Sequence, residues 1–209
     1  MKNADVVDVF SEINDLFNFE ESHVNKKQSL QGNIREINKL QPYLQGNIDQ
    51  LCGIYSLINS TRLVIYPSKI KPHLLSRCVS VLSQKKRSGD FITNGLFSTD
   101  IHFLLKEIFC KEYPIRFTKP FSKAVDVDIY CSKLKQFLNA SSNRAVVILF
   151  YTESAGHWTV VNAITETQLI LFDSKRTRNL KREICTTTEL SDSKTRLLMP
   201  TMTYFIKQS

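Results

Sequence analysis

Three side chains in this sequence have the types and placement for nucleophilic chemistry: Cys52, His157 and Asp173. The stretch Gln45–Asn59 runs from polar loop residues into Cys52. Gly53 follows, and then Ile54, Tyr55, Leu57 and Ile58 recur at helical spacing. That pattern predicts a buried helix whose first residue is Cys52. The N-terminus of a helix carries about half a positive charge and favours a thiolate over a thiol. Such a placement can draw a cysteine pKa from ~8.5 into the range of roughly 3.5–7.5. Gly53 has no side chain to keep a substrate from the sulfur. A lone cysteine, however, is most often an inert buried residue, so chemistry at Cys52 depends on what the rest of the chain supplies.

The segment Gly156–Ser174 supplies it. His157 opens one β-prone run and Asp173 closes the next. A hairpin centred on Thr165 sets them directly opposite, with Cβ atoms about 4.5–5.5 Å apart. A turn centred on Glu166 makes Asp173 the diagonal neighbour on the same face, and a one-residue slip sends the two to opposite faces. A nucleophilic cysteine needs a histidine to take its proton and a third group to orient that histidine, and His157 with Asp173 meets both needs. The other histidines read as structural. His23 lies in a polar stretch, His73 follows a proline at a helix start, and His102 sits in an amphipathic segment near Asp100.

Two sets of elements must position these groups. Helical patterns dominate the first part. Val6, Val7, Phe10, Ile13, Leu16 and Phe17 mark an amphipathic N-terminal helix, followed by a polar connector over 20–40. After the Cys52 helix, Pro67 breaks the pattern. A second helix carries Ile70, Leu74, Leu75, Cys78, Val81 and Leu82, and Ser88-Gly89-Asp90 marks a turn. A third helix, capped by Ser98 and Asp100, carries Ile101, Leu104, Leu105, Ile108 and Phe109 and stops at Pro114. Ile115–Phe117 reads as a short strand, and Val127 to about Ala140 as a fourth helix. The character then changes. Ala145–Tyr151 is a continuous apolar run, as in a strand buried on both faces. Residues 157–164 and 168–173 pair as a hairpin, and weaker strand signals follow at 184–187, 197–199 and 202–206. Helices first and an antiparallel sheet second make an α+β chain, with residues 1–40 as an appendage and 41–209 as the domain.

Composition narrows the functional classes. With 209 residues and 42% hydrophobic content the chain can bury a full core, and no stretch approaches the ~18 apolar residues of a membrane span. The N-terminus lacks a secretory pattern. The five cysteines are scattered, with no Cys-x-x-Cys pair and no Cys/His spacing for zinc, so neither a metal nor another cofactor is expected. A reducing compartment, the cytoplasm, fits better than a disulfide framework; delivery into a host cell as an effector would leave the same sequence. The net charge of +8 includes clusters at Lys85-Lys86-Arg87 and across Lys175, Arg176, Arg178, Lys181 and Arg182. These lack the interleaved aromatics of a single-strand surface, which argues against nucleic acid and for a solvated basic face.

The order Cys52-Gly53, Gly156-His157-Trp158 and Asp173-Ser174 resembles the papain-like cysteine peptidases, and in style most of all the bacterial peptidases of the bacteriocin-leader-processing type, which use Asp as the third residue. The resemblance spans roughly 40–180. It implies a helical half carrying the nucleophile helix, packed on an antiparallel sheet that carries His157 and Asp173. It also implies hydrolysis of a protein or peptide substrate through a thioester, with Gly53, Gly156 and Trp158 near that substrate. The family places an oxyanion-hole glutamine six residues before the cysteine. Here that position is Gly46, and Gln45 fills the role if the loop holds one extra residue; Gln50 is the poorer substitute. The same triad would also serve an acyltransferase or transglutaminase-like enzyme, or survive in an inactive binding module.

Overall fold

The strand Arg144–Tyr151 (β2) explains most of the architecture. Its residues alternate between two cores: Ala145, Val147 and Leu149 face one, while Val146, Ile148 and Phe150 face the other. A strand covered on both sides reads as an unbroken apolar run, as expected. The computed structural model describes residues 40–46, 49–65, 70–85 and 90–209. The predicted N-terminal helix, nearly all of the connector, and Lys86 and Arg87 of the first basic cluster lie outside those residues.

Around β2 lies a mixed sheet of eight strands among the described residues, ordered β1-β8-β2-β3-β4-β5 and antiparallel throughout that path. The strands are β1 (Ile115–Thr118), β3 (Gly156–Ile164), β4 (Gln168–Leu171), β5 (Asn179–Lys181) and β8 (Tyr204–Gln208). Two short strands, β6 (Cys185–Thr186) and β7 (Arg196–Leu198), pair in parallel, and β7 joins the end of β2 through Phe150↔Leu198.

One face of the sheet carries α1 (Cys52–Val64), α2 (Leu74–Gln84) and the helical run that opens with α4 (Ser98–Leu104), all in one core with Trp158, Val160, Phe172 and Tyr204. The short α3 (Asp90–Asn94) sets Phe91 into the same core. The opposite face carries α5 (Val127–Asn139), which packs Tyr130, Cys131, Leu134 and Leu138 against it. The fold is therefore α+β, with an antiparallel path between helices on both sides.

α1 is central. Every residue in it except Arg62 is buried, which is why its pattern is apolar or small all round. At Gly53 an added Cβ would lie 2.8 Å from Ile101 Cδ1, 3.2 Å from Leu96 Cβ and 3.4 Å from Trp158 Cδ1. Glycine here lets α1 sit directly on α4 and β3.

Some details differ from the sequence expectation. Phe97, not Ser98, precedes the third helix. Asp100 sits in the first turn, and its carboxylate accepts the Phe97 N–H at 2.9 Å. That helix passes without a break into a π turn at Leu105–Phe109 and ends at Cys110–Glu112, before Pro114. β5 was not legible because three residues with a single buried side chain, Leu180, carry almost no alternation. The last apolar run starts with a 3-10 turn at Pro200–Met202, so β8 begins only at Tyr204.

Candidate active site

The site is assembled at one end of the sheet, where β2 finishes, β3 begins, β4 finishes and α1 starts. Cys52 is the first residue of α1. The helix has no side-chain cap; the Leu51 N–H just before it donates instead to Asp49 Oδ1 at 2.9 Å. The preceding segment is tied down at two points. Asn59, deep in α1, exchanges hydrogen bonds with the Tyr43 backbone at 2.8 and 3.1 Å, and the Gln45 N–H donates to Ser174 O at 3.0 Å. The second bond links the loop before Cys52 to the loop after Asp173.

The sequence condition on the β3–β4 hairpin is met by a route that it did not anticipate. Ile164 pairs with Leu169, so the turn centres between Glu166 and Thr167. Continued regularly, that register would set Asp173 across from Val160, on the face away from His157. A β-bulge between Val161 and Ala163 corrects it: Val161 pairs with Leu171, and Phe172 N–H donates to Val160 O at 2.9 Å. Asp173 then falls across from Thr159 and becomes the diagonal neighbour of His157 on its own face. The extra residue, Asn162, is exposed, so the bulge disturbs no packing.

His157 Nε2 lies 2.6 Å from Asp173 Oδ1. Asp173 is held independently of the histidine, since its Oδ2 accepts the N–H groups of Lys175 at 2.9 Å and Thr177 at 3.1 Å. This is an aspartate turn, which Asp-Ser-Lys-Arg-Thr permits by sequence. Phe150, opposite His157 across β2–β3, presents its ring edge-on at a centroid distance of 5.5 Å. Burial opposes a charge on the His157 ring. The bond to Asp173 and the presence of Cys52 outweigh it and lift the His157 pKa to about 9. Burial likewise opposes the Asp173 charge, but the His157 contact wins and holds its carboxyl below the usual range. With Nε2 engaged by Asp173, the remaining ring nitrogen, Nδ1, is buried, and the Cys52 side chain also interacts with the ring. The Cys52 sulfur contacts Gln50 O at 4.0 Å as well as interacting with the His157 side chain.

Comparison with family models, curated proteins and solved structures finds no match for this chain.

The remaining site expectations fare unequally. Gln45 does lie in the loop before α1, but its side-chain amide donates to Asp49 O, so it is engaged within the loop rather than free for an oxyanion. Gly53 and Trp158 are corrected from substrate contacts to packing residues. Gly53 is buried under Ile101 and Leu96, and Trp158, 2% exposed, donates its indole N–H to Leu96 O at 2.9 Å. Gly156 is exposed, and there the glycine makes room for a ring: an added Cβ would come within 2.7 Å of Tyr151 Cε1. His73 takes the left-handed conformation (φ 62°) before α2, and His102 packs edge-on to Phe117 at 5.2 Å, so both stay structural. His23 lies outside the described residues. Sequence reasoning missed Phe150 and the turn amides behind Asp173. The first was hidden as one apolar residue among seven, and backbone donors carry no sequence signal. Among the described residues no cluster of His, Cys, Asp and Glu could hold a metal ion, and no helix is long and apolar enough to cross a membrane.

Proposed function

We propose that this chain is a papain-like cysteine peptidase that hydrolyses a peptide or isopeptide bond through Cys52, His157 and Asp173. The observation that carries the reading is one imidazole held at 2.6 Å by a buried carboxylate, with the helix-initial Cys52 close enough to interact with the ring and shift its titration. In this mechanism the sulfur attacks the carbonyl and the Cys52 proton resides on His157 Nδ1. His157 then passes that proton to the leaving amine, and Asp173 keeps the ring oriented throughout. The Cys52 backbone N–H, one of the four at a helix start without an intrahelical partner, binds the oxyanion. Gln45 joins it on releasing Asp49. Water, activated by His157, then hydrolyses the thioester.

The other four cysteines provide the internal control. Burial pushes the Cys78, Cys110 and Cys131 thiols up, and Cys185 to about 12. Iodoacetamide at low concentration and mildly acidic pH should therefore modify Cys52 alone, as read by peptide mass mapping, and a fluorogenic peptide library should be cleaved by the wild type but not by Cys52→Ala. Cleavage that persists in Cys52→Ala, or labelling that bypasses Cys52, would end the assignment. Transfer of the acyl group to an added amine in preference to water would move the reading to an acyltransferase on the same triad.

A further inference from the structure

The turn that fixes Asp173 also displays charge. Lys175 and Arg176 project from it into solvent, Arg178 follows, and Arg176 adopts the left-handed conformation (φ 63°) that closes the turn. Among the described residues none of these three side chains has a salt-bridge partner, although Asp49 lies close enough to Lys175 to feel its charge. Two cavities flank the turn. One, of about 650 Å³, is lined by Tyr43, Tyr55, Asp173, Arg176 and Arg178. The other, of about 420 Å³, is lined by Gly156, His157, Lys175, Lys181 and Arg196. Among the described residues the sole carboxylate lining either cavity is Asp173, which is committed to His157. Glu183 touches Lys181 at 3.3 Å from outside, and both ends of that pair are exposed. A cleft lined with one sign of charge concentrates ligands of the other sign.

Granted the peptidase reading, we infer that the substrate is an acidic peptide whose carboxylate side chains follow the scissile bond and occupy the cavity that His157 shares with Lys175, Lys181 and Arg196. The direction follows from the chemistry. His157 protonates the leaving amine, so the departing segment passes over the imidazole, and the cavity beyond it is lined by His157 and not by Cys52. A nucleic acid fits less well: among the described residues the benzyl ring lining this cavity, Phe150, is buried, and the exposed ring of Tyr151, which lies against Gly156, is too little for stacking successive bases.

Two measurements on the full chain separate this inference from the activity it rests on. In the first, Cys52→Ala is titrated with a fluorescein-labelled Glu-containing peptide, its Gln-matched counterpart and an oligonucleotide of equal charge. The acidic peptide should bind about tenfold tighter than the neutral one at low salt. The gap should narrow as salt rises, and K181Q/R196Q should weaken acidic binding by about three- to tenfold. Equal binding of the two peptides, or tighter binding of the oligonucleotide, overturns the inference. In the second, the wild type is given a mixed peptide library, and Asp and Glu should be enriched after the cleaved bond. Cys52-dependent cleavage without that enrichment overturns the inference and leaves the peptidase standing. Acid-selective binding with no cleavage by the wild type supports the acidic site and sinks the peptidase.

Discussion

The two halves of the site are built to opposite standards. On the imidazole side, Asp173 takes two backbone N–H groups and the His157 ring, and Phe150 buttresses that ring. On the sulfur side, Cys52 makes a long 4.0 Å contact to Gln50 O, and its helix has no side-chain cap. The difference separates orientation from reactivity. In the proposed mechanism the base would be aligned before any substrate arrives, at the expense of a buried ion pair, whereas the sulfur would be held only by long contacts. What holds Cys52 in place is packing: Gly53 against Ile101 and Leu96, and Asn59 clamped to Tyr43.

The largest test of that contrast removes the sulfur. Cys52→Ala should lower peptide cleavage by about 10⁴-fold or more with the circular dichroism spectrum unchanged, since the sulfur contributes only long contacts to the fold. Next comes the orienting group. Asp173→Asn should reduce kcat by about 10²–10⁴-fold and move the alkaline limb of the pH–rate profile down from near 9, where the wild-type imidazolium is lost. Stability should follow the same groups. The His157 pKa is raised, so its contribution is complete below about 6.5 and disappears as pH rises through about 9. The Asp173 pKa is lowered, so its contribution is present above the ordinary carboxylate range and lost as pH falls. The stability difference between wild type and Asp173→Asn, from denaturant melts, should therefore shrink toward both pH extremes.

Perturbing the packing should affect the sulfur side without touching the dyad. Gly53→Ala forces a methyl into space held by Ile101 and Leu96, and should cost about 1–3 kcal/mol in urea unfolding. Asn59→Ala strands the Tyr43 N–H and C=O, and should cost about 1–3 kcal/mol and loosen the loop that carries Gln45, seen as faster amide exchange there. The smallest effect belongs to a surface pair remote from the site. Lys135→Ala, which breaks the exposed 2.5 Å contact with Glu166, should change stability by less than about 1 kcal/mol and activity not at all.

The sequence was most readable where periodicity and burial agree. α1, α5, β2 and the β3–β4 hairpin each carry enough buried positions to show their period, and α1 and the hairpin, set on β2, bring Cys52, His157 and Asp173 to one end of the sheet. It was least readable where structure depends on backbone atoms or on a few residues: the π turn after α4, the three-residue β5, the amides behind Asp173. Gly53 and Trp158 show a third kind of gap. Their position beside reactive residues suggested contact with a ligand, yet adjacency in sequence places neighbouring strand residues on opposite faces, and Trp158 follows that rule into the core.

The bulge at Asn162 has a consequence for how this hairpin can change over evolution. The tip, around Glu166 and Thr167, and the chemistry, at His157 and Asp173, are out of phase by one residue, and a single solvent-facing asparagine absorbs the mismatch. A relative that lengthens or trims the tip by one residue must compensate in the same strand, or its counterparts of His157 and Asp173 would stand back to back across the sheet. Two indels, each ruinous alone, would together be silent.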